Sequence, residues 1–453
     1  MHLHILGICG TFMGGIAVLA RDMGHTVTGS DQNVYPPMST LLEQSGIEVM
    51  QGYSVNHLQP APDMVVIGNT LSRGNESVEY VLNNSLPFTS GPQWLGENVL
   101  AGKRVLAVSG THGKTTTTSM LAWILESAGK QPGFLIGGVA ENFGVSARNS
   151  RTGYFVVEAD EYDSAFFDKR SKFIHYHPGI LVINNIEFDH ADIFDDIGAV
   201  RRQFHHLLKT VPGSGRVITR YGDPEIQKVL ALGCWSRLEE FGIAAGDWTL
   251  AHPRPDFSGF DVCHQEHFTG RVEWPLIGAH NAENALAAIA AAAAAGIDPA
   301  RATTALGEFR SVKRRLQQLA CVNGITVYDD FAHHPTAIQR TLEALRSKVG
   351  NDRIIAVLEP RSNTMKMGVH RQTLAPALDA ADRVVLFQGP EVKWSLSEVT
   401  DQLGVKGVSY HSVDEIIHDI CKDVRSGDHI VIMSNGGFDG IHAKMISAIS
   451  KAA

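Results

Sequence analysis

Runs of Val, Ile and Leu alternate with helical stretches along the whole chain. "LHILGI", "HTVTGSD" and "DMVVIGN" come first; "RVLAVSG", "YFVVEAD" and "GILVINNIE" follow; "ITVYDDF", "RIIAVLEP", "RVVLFQ" and "HIVIMSNGG" close the series. Continuous apolar runs separated by helices predict an α/β fold of parallel sheets covered on both faces. Each run ends in small or polar residues, the edge at which open α/β sheets place ligands. The pattern restarts at "GKRVLAVSGTHGKT" and again after "GEFRSVKRRLQ", which predicts domains at 1–102, 103–310 and 311–453. The chain carries no repeat of solenoid period and no low-complexity tract.

Composition narrows the class. A length of 453 residues suits two to four domains, and 44% hydrophobic with 19% charged residues fits a soluble globular protein. The formal charge of -9 argues against a nucleic-acid partner but leaves room for a small anionic ligand at a local positive site. Cys9, Cys234, Cys263, Cys321 and Cys421 form no C-x-x-C pair, which speaks against a disulfide framework or zinc site and for a reducing cytosol. "MHLHILGICG" has no basic leader or cleavage site, and "NAENALAAIAAAAAAGI" falls short of a membrane span. The expectation is a cytoplasmic protein with no membrane partner; oligomeric state is left open.

Several strand ends carry chemistry. "GICGTFMGGIA" follows the first strand and should open a helix whose N–H groups, near Gly10, suit a diphosphate, with Asp31 placed for a ribose hydroxyl. The glycines stand at 7, 10 and 14, not in the dehydrogenase spacing, and strand–helix packing explains them equally well. "SGTHGKTTTT" joins a strand to a helix through Gly-Lys-Thr, although Val108 stands where the usual phosphate loop has its outer glycine. The loop Gly110, Thr111, His112, Gly113 and the helix start Lys114, Thr115, Thr116 would cradle phosphates, with Thr115 also on Mg2+. "YFVVEADEYDSAF" ends in Glu158, Asp160, Glu161 and Asp163, a carboxylate cluster suited to a hard cation or to solvent. "NNIEFDHADIF" adds Asp189 and His190. "GAHNAENALAA" sets Asn281 and Asn284 on one helical face, as adenine contacts or helix caps. "VKRRLQ" offers Arg314 and Arg315 as phosphate clamps or surface charge, and "YDDFAHHP" offers Asp329, Asp330, His333 and His334.

In this order, "GTHGKTTTT", "EADEYD", "NNIEFDHAD", "GAHNAENALAA", "KRRLQ" and "DDFAHHPT" resemble the Mur ligases, the ATP-dependent amide ligases of peptidoglycan assembly. The resemblance spans essentially the whole chain, and the short phosphate loop is how that family looks. It implies a Rossmann-like UDP-binding domain, a central phosphate-loop ATPase-like domain and a C-terminal Rossmann-like domain. It also implies ATP and Mg2+ as cofactors. Lys114 and Thr115 would bind phosphates and Mg2+, Glu158 the same ion, and His190 a second one. Asn281 would contact adenine with Asn284 beside it, Arg315 would contact phosphate, and Asp330 the ATP ribose. Gly10 and Asp31 would lie at the UDP moiety. Residues 191–208 contain no Lys, so the carbamylated lysine of several relatives is not expected.

Within the family, "HILGICGTFMGGIA" and "DDFAHHPT" look like the branch that adds L-alanine to UDP-N-acetylmuramate. Cys9 and Phe12 stand where that branch usually has glycines, and "FTSGPQWL" where it tends to carry an Arg pair. "GSDQNVYPPMST", "EYDSAFFDKRSKFIHY", "EPRSNTMKMG" and "MSNGGFDGIH" look instead like the branch that joins UDP-N-acetylmuramate to L-alanyl-γ-D-glutamyl-meso-diaminopimelate in murein recycling. The implied partners are therefore UDP-N-acetylmuramate and this tripeptide. Arg361 and Asn363, just past "RIIAVLEP", are the expected peptide contacts, since Arg suits carboxylates. An oxidoreductase would explain the first glycines and Asp31, and a switch or motor ATPase would explain Gly-Lys-Thr. The oxidoreductase leaves Gly-Lys-Thr and the acidic strand end without a purpose, and the ATPase predicts nucleotide turnover without amino-acid or peptide acceptors.

Overall fold

The first strand, His2–Leu6, lies at the centre of a parallel sheet ordered Glu48–Gln51, Thr26–Asp31, His2–Leu6, Met64–Ile67, Phe88–Ser90. The strand order reverses beside this first strand, which opens a crevice at its C-terminal end. The structure, a computed structural model, describes residues 1–34 and 38–451. Residues 35–37 of "GSDQNVYPPMST" lie outside the described residues. The helix Thr11–Asp22 follows the first strand and buries most of its length. Gly15 lets it press onto the middle domain: a Cβ there would sit 2.2 Å from Leu135 Cδ1. Leu3, Ile5 and Ile16 share one apolar cluster with Val105, Phe155 and Phe204, so the first two domains have a continuous core.

The middle sheet has ten strands, with Arg104–Ser109 between Ile180–Ile183 and Tyr154–Ala159, all parallel. All three strands are apolar through their centres, as a sheet buried on both faces requires. Its far edge is antiparallel, Gly259–His264 pairing with His267–Glu273. Those edge strands mix exposed polar residues with apolar ones and so escape a search for continuous apolar runs. The Ala-rich segment forms the helix Ala279–Ala294, buried against Lys114–Ser127. Small side chains let two helices approach closely, which is the use of so many alanines here. No helix among the described residues is long and apolar enough to cross a membrane.

The C-terminal sheet runs Gln317–Val322, Ile325–Asp330, His429–Met433, Ile354–Leu358, Arg383–Phe387, Gly407–Tyr410; only its first strand is antiparallel. The crossover from the middle domain is pinned by Lys313 N–H to Val139 O at 3.1 Å and Glu141 N–H to Ser311 O at 3.1 Å. Thr364 Oγ1 donates to Asp189 Oδ1 at 2.9 Å, which carries the third domain onto the loop after Ile180–Ile183. The middle and C-terminal domains therefore bring strand ends together.

Candidate active site

Between the strand ending at Ser109 and the helix starting at Lys114, the chain turns through Gly110 and Gly113, both at positive φ. Gly113 has φ 79°, and a Cβ there would lie 2.4 Å from Asn284 Oδ1, so the position excludes any side chain. The turn is braced by "NNIE". Asn185 Oδ1 accepts from the His112 N–H at 2.8 Å, Asn184 Nδ2 donates to Thr117 Oγ1 at 3.0 Å, and Thr117 Oγ1 donates to Asn284 Oδ1 at 3.1 Å. Thr111 N–H donates to Asn185 O at 3.1 Å. The helix start thus faces outward with its first N–H groups unspent, a ready anion site.

Lys114, at that helix start, donates to Glu161 Oε2 at 3.0 Å and lies 3.6 Å from Asp160 Oδ1. Burial opposes its charge, but Glu161, Asp160 and Glu158 outweigh burial and hold the ammonium more firmly than usual. Glu161 is fully enclosed; burial would raise its carboxyl, yet Lys114 and His190 bring it down to about 2. His190 Nε2 is 3.3 Å from Glu161 Oε1, with its ring 4.1 Å from that of Tyr162. Burial pushes His190 toward neutrality, and Glu161 reverses that and raises it. Glu158 accepts from Thr115 Oγ1 at 2.9 Å and from Gly137 N–H at 2.7 Å. Burial, then the neighbouring Asp160, raise its carboxyl above the usual range. Thr115 and Glu158 therefore present oxygen donors at a place where negative charge is held at a cost, which suits a hard cation.

From the third domain, Arg315 reaches across with Nη2 3.4 Å from Thr115 Oγ1. Arg314 does not: it takes φ 63° and spends its guanidinium on Asp329 at 3.1 Å and on the carbonyls of Ser434 and Gly436 at 2.7 and 2.8 Å. The pair thus divides into a brace and a group facing the phosphate loop. Asp330, buried, accepts from Leu316 N–H at 2.6 Å and Ala332 N–H at 2.7 Å; burial raises its carboxyl, opposed by Arg315.

Other candidates sit farther out. Asn284 touches the phosphate loop, while Asn281, one turn earlier, donates to Ile277 O at 2.8 Å. Thr116 is buried behind the loop. Asp31 accepts from Cys9 N–H at 2.9 Å and Asn33 N–H at 3.0 Å, and so shapes the turn before Gly10. Asn363 donates to Asp192 Oδ2 at 2.8 Å across the domain boundary, and Arg361 lies exposed against Gly436, 3.8 Å from Glu359. His112, Glu187 and His334 bring one donor atom each within 4.8 Å. Thr336 engages two of the three, its hydroxyl donating to Glu187 Oε2 at 2.6 Å and its N–H to His334 Nδ1 at 3.3 Å, while the buried His112 Nε2 lies 3.5 Å from Glu187 Oε2.

Three domain descriptions match this arrangement in order: "Mur ligase family, catalytic domain" over residues 2–103, "Mur ligase middle domain" over 108–292 and "Mur ligase, glutamate ligase domain" over 314–436. The UDP-N-acetylmuramate–L-alanyl-γ-D-glutamyl-meso-2,6-diaminoheptandioate ligase of Escherichia coli (strain K12) is 55% identical, covering 100% of this chain and 99% of that protein. The chain belongs to the Mur ligase family. A UDP-N-acetylmuramate–L-alanine ligase of Syntrophomonas wolfei is 33% identical over 96% of this chain and 94% of its own length. The crystal structure of a murein peptide ligase from Psychrobacter arcticus superposes with TM-score 0.78 at 46% identity, covering 99% of each chain. The Mur ligase from Thermotoga maritima named for UDP-N-acetylmuramate and alanine gives TM-score 0.84 at 24% identity over 100% of each chain, a likeness of fold.

Proposed function

We propose that this Mur ligase is an ATP-dependent amide ligase that joins UDP-N-acetylmuramate to L-alanyl-γ-D-glutamyl-meso-diaminopimelate, in murein recycling in the cytoplasm. The observation that carries the reading is the full-length identity of 55% to a relative named for that tripeptide, against 33% to one named for L-alanine. Lys114, Glu161 and His190 drawn into one buried network beside an anion-binding helix start support it physically.

The lactyl carboxylate of the sugar is a poor acyl donor, because its leaving group would be oxide. Transfer of the γ-phosphoryl group of ATP to a carboxylate oxygen gives an acyl phosphate and ADP. The peptide amine then attacks the acyl carbon, loses a proton, and phosphate leaves with the C–O bond electrons. Lys114 and Arg315 are assigned to the charge that spreads over the transferring phosphoryl oxygens, where positioned cations contribute most. The loop Gly110–Thr116 holds the phosphates, Asn281 and Asn284 the adenine side, and Asp330 the ribose. Gly10 and Asp31 serve the UDP end, and Arg361 and Asn363 the peptide. Mg2+ fits Thr115 and Glu158, with His190 assigned to a second ion; when bound it would neutralise triphosphate charge. Domains at 1–102, 103–310 and 311–453 each supply part of the site, so closure would exclude water from the acyl phosphate.

The test is phosphate release with ATP and UDP-N-acetylmuramate, with the tripeptide or L-alanine as acceptor. The tripeptide should give the higher kcat/KM; a higher value for L-alanine moves the protein to the alanine-adding branch. With 18O in the lactyl carboxylate, one labelled oxygen should appear in the released phosphate, and its absence rules out the acyl phosphate.

A further inference from the structure

The segment "EYDSAFFDKRSKFIHY" folds as a small hairpin, Asp163–Ala165 against Asp168–Ser171, followed by a single turn, Lys172–His175. It wedges between the first two domains. Phe167 packs edge-on to Phe88 of the first domain at 5.0 Å, and Gly96 lies so close to the His175 carbonyl that a Cβ there would meet it at 2.4 Å. The hairpin base is tied to the acidic strand end: Lys172 N–H donates to Tyr162 O at 2.8 Å and Ser171 Oγ to Glu161 O at 2.7 Å.

This construction aims Lys172 inward. Its side chain is only 9% exposed, and its sole carboxylate neighbour among the described residues is Asp160, with Oδ2 at 3.8 Å. The ammonium makes no hydrogen bond within 3.5 Å there; it lies over the rings of Phe12, 4.8 Å away, and Tyr162, 5.3 Å away. Two aromatic faces and one carboxylate at 3.8 Å hold the side chain in place and leave the three N–H donors of the ammonium unspent. An inward-aimed ammonium with its own donors unspent suits an anion.

Position identifies which anion. Phe12 belongs to the first helix, whose N-terminus at Gly10 and Thr11 faces the crevice assigned to UDP. Asp160 holds Lys172 through Oδ2 and Lys114 through Oδ1 at 3.6 Å, so Lys172 stands on the reacting side, next to the phosphate-loop lysine. The helix N-terminus already offers N–H groups to the diphosphate; the group that must travel on to meet the γ-phosphoryl is the lactyl carboxylate. We propose that Lys172, delivered by the interdomain hairpin, binds the lactyl carboxylate of UDP-N-acetylmuramate and positions it beside Lys114. This rests on the ligase reading above.

The experiment compares wild type, Lys172→Met and Lys172→Arg, measuring Kd for UDP-N-acetylmuramate and for UDP-N-acetylglucosamine, which lacks the lactyl group. A non-hydrolysable ATP analogue is present throughout, and its own affinity reports that the site is folded. Losing one member of a buried charged pair weakens binding by about 30-fold or more. Lys172→Met should weaken UDP-N-acetylmuramate by that factor and UDP-N-acetylglucosamine by less than about threefold, with the analogue unchanged and Lys172→Arg largely restored. Equal weakening of both sugar nucleotides, or of neither, overturns the assignment. If Lys172→Met does not fold, Lys172→Gln carries the same expectations. Wild-type protein that binds neither sugar nucleotide refutes the ligase reading and this proposal with it; wild-type binding with no effect of the substitution refutes this proposal alone.

Discussion

Glu161→Gln removes the carboxylate that Lys114 and His190 share while keeping its shape. The magnitude follows from the site. A carboxyl held at about 2 instead of the ordinary 4.5 is about 3 kcal/mol more favourable ionised in the fold than in the unfolded chain. Breaking a buried pair by deleting one partner costs about 3–5 kcal/mol, so two independent routes agree. The sign is that of a depressed carboxyl. Its contribution is complete above pH 4.5 and disappears as pH falls toward 2, so the gap between variant and wild type should close by about 1.4 kcal/mol per pH unit below 4.5. The assay is urea denaturation at neutral pH and at two acidic values, followed by fluorescence of Trp123, Trp235, Trp248 and Trp274, which lie between residues 103 and 310. Trp94 and Trp394 report the other two domains and the first two domains share a core, so the curves are fitted to more than one transition and the gap is read from the one with the largest signal change. A variant within about 1 kcal/mol of wild type at neutral pH, or a gap independent of pH, would refute the reasoning.

The two adjacent arginines should separate cleanly: Arg315→Ala lowers kcat/KM for ATP by roughly 100-fold with little effect on stability, whereas Arg314→Ala destabilises the third domain by about 2 kcal/mol, checked by steady-state kinetics and denaturation on both. Gly113→Ala should abolish ATP binding measured by calorimetry, since it meets both the backbone strain and Asn284; a variant with wild-type affinity contradicts the geometry. Burial lowers His4 and His333 to about 4 and His280 to about 3. Each stays neutral in the fold while the unfolded chain takes up protons below about 6.5, so stability should drop as pH falls from about 6.5 toward about 4, by up to roughly 1.4 kcal/mol per unit for each residue, and His4→Gln should flatten the thermal-midpoint profile. Arg361→Ala should raise KM for the tripeptide about tenfold and leave KM for ATP unchanged; equal changes refute the peptide assignment.

The strand–turn–helix punctuation was readable because it is local. Lys114 follows a strand and opens a helix within ten residues, and the restarts of that pattern mark the three sheets. What joins the site together is not local. Lys114 meets Glu161 47 positions later, and Arg315 meets Thr115 across 200. Four carboxylates in one motif look alike in sequence; only the packing separates Glu161, enclosed between two cations, from Glu158 beside Thr115. Arg314 and Arg315 differ through one left-handed residue that no composition rule assigns. Lys172 lies inside "EYDSAFFDKRSKFIHY", but the sequence does not mark it, because its burial depends on a hairpin held by another domain. Two features of the sequence are signals for it in retrospect: Phe12 in place of a small residue, and a lysine downstream of clustered carboxylates.

The central claim is the identity of the two groups joined. Wild-type protein given ATP, Mg2+, UDP-N-acetylmuramate, and equal concentrations of tripeptide and L-alanine should yield one sugar-nucleotide product by mass spectrometry. Its mass should be that of substrate plus tripeptide less one water, with one ADP and one phosphate formed per product. A product carrying a single alanine, or phosphate release with no change in the sugar nucleotide, contradicts the account.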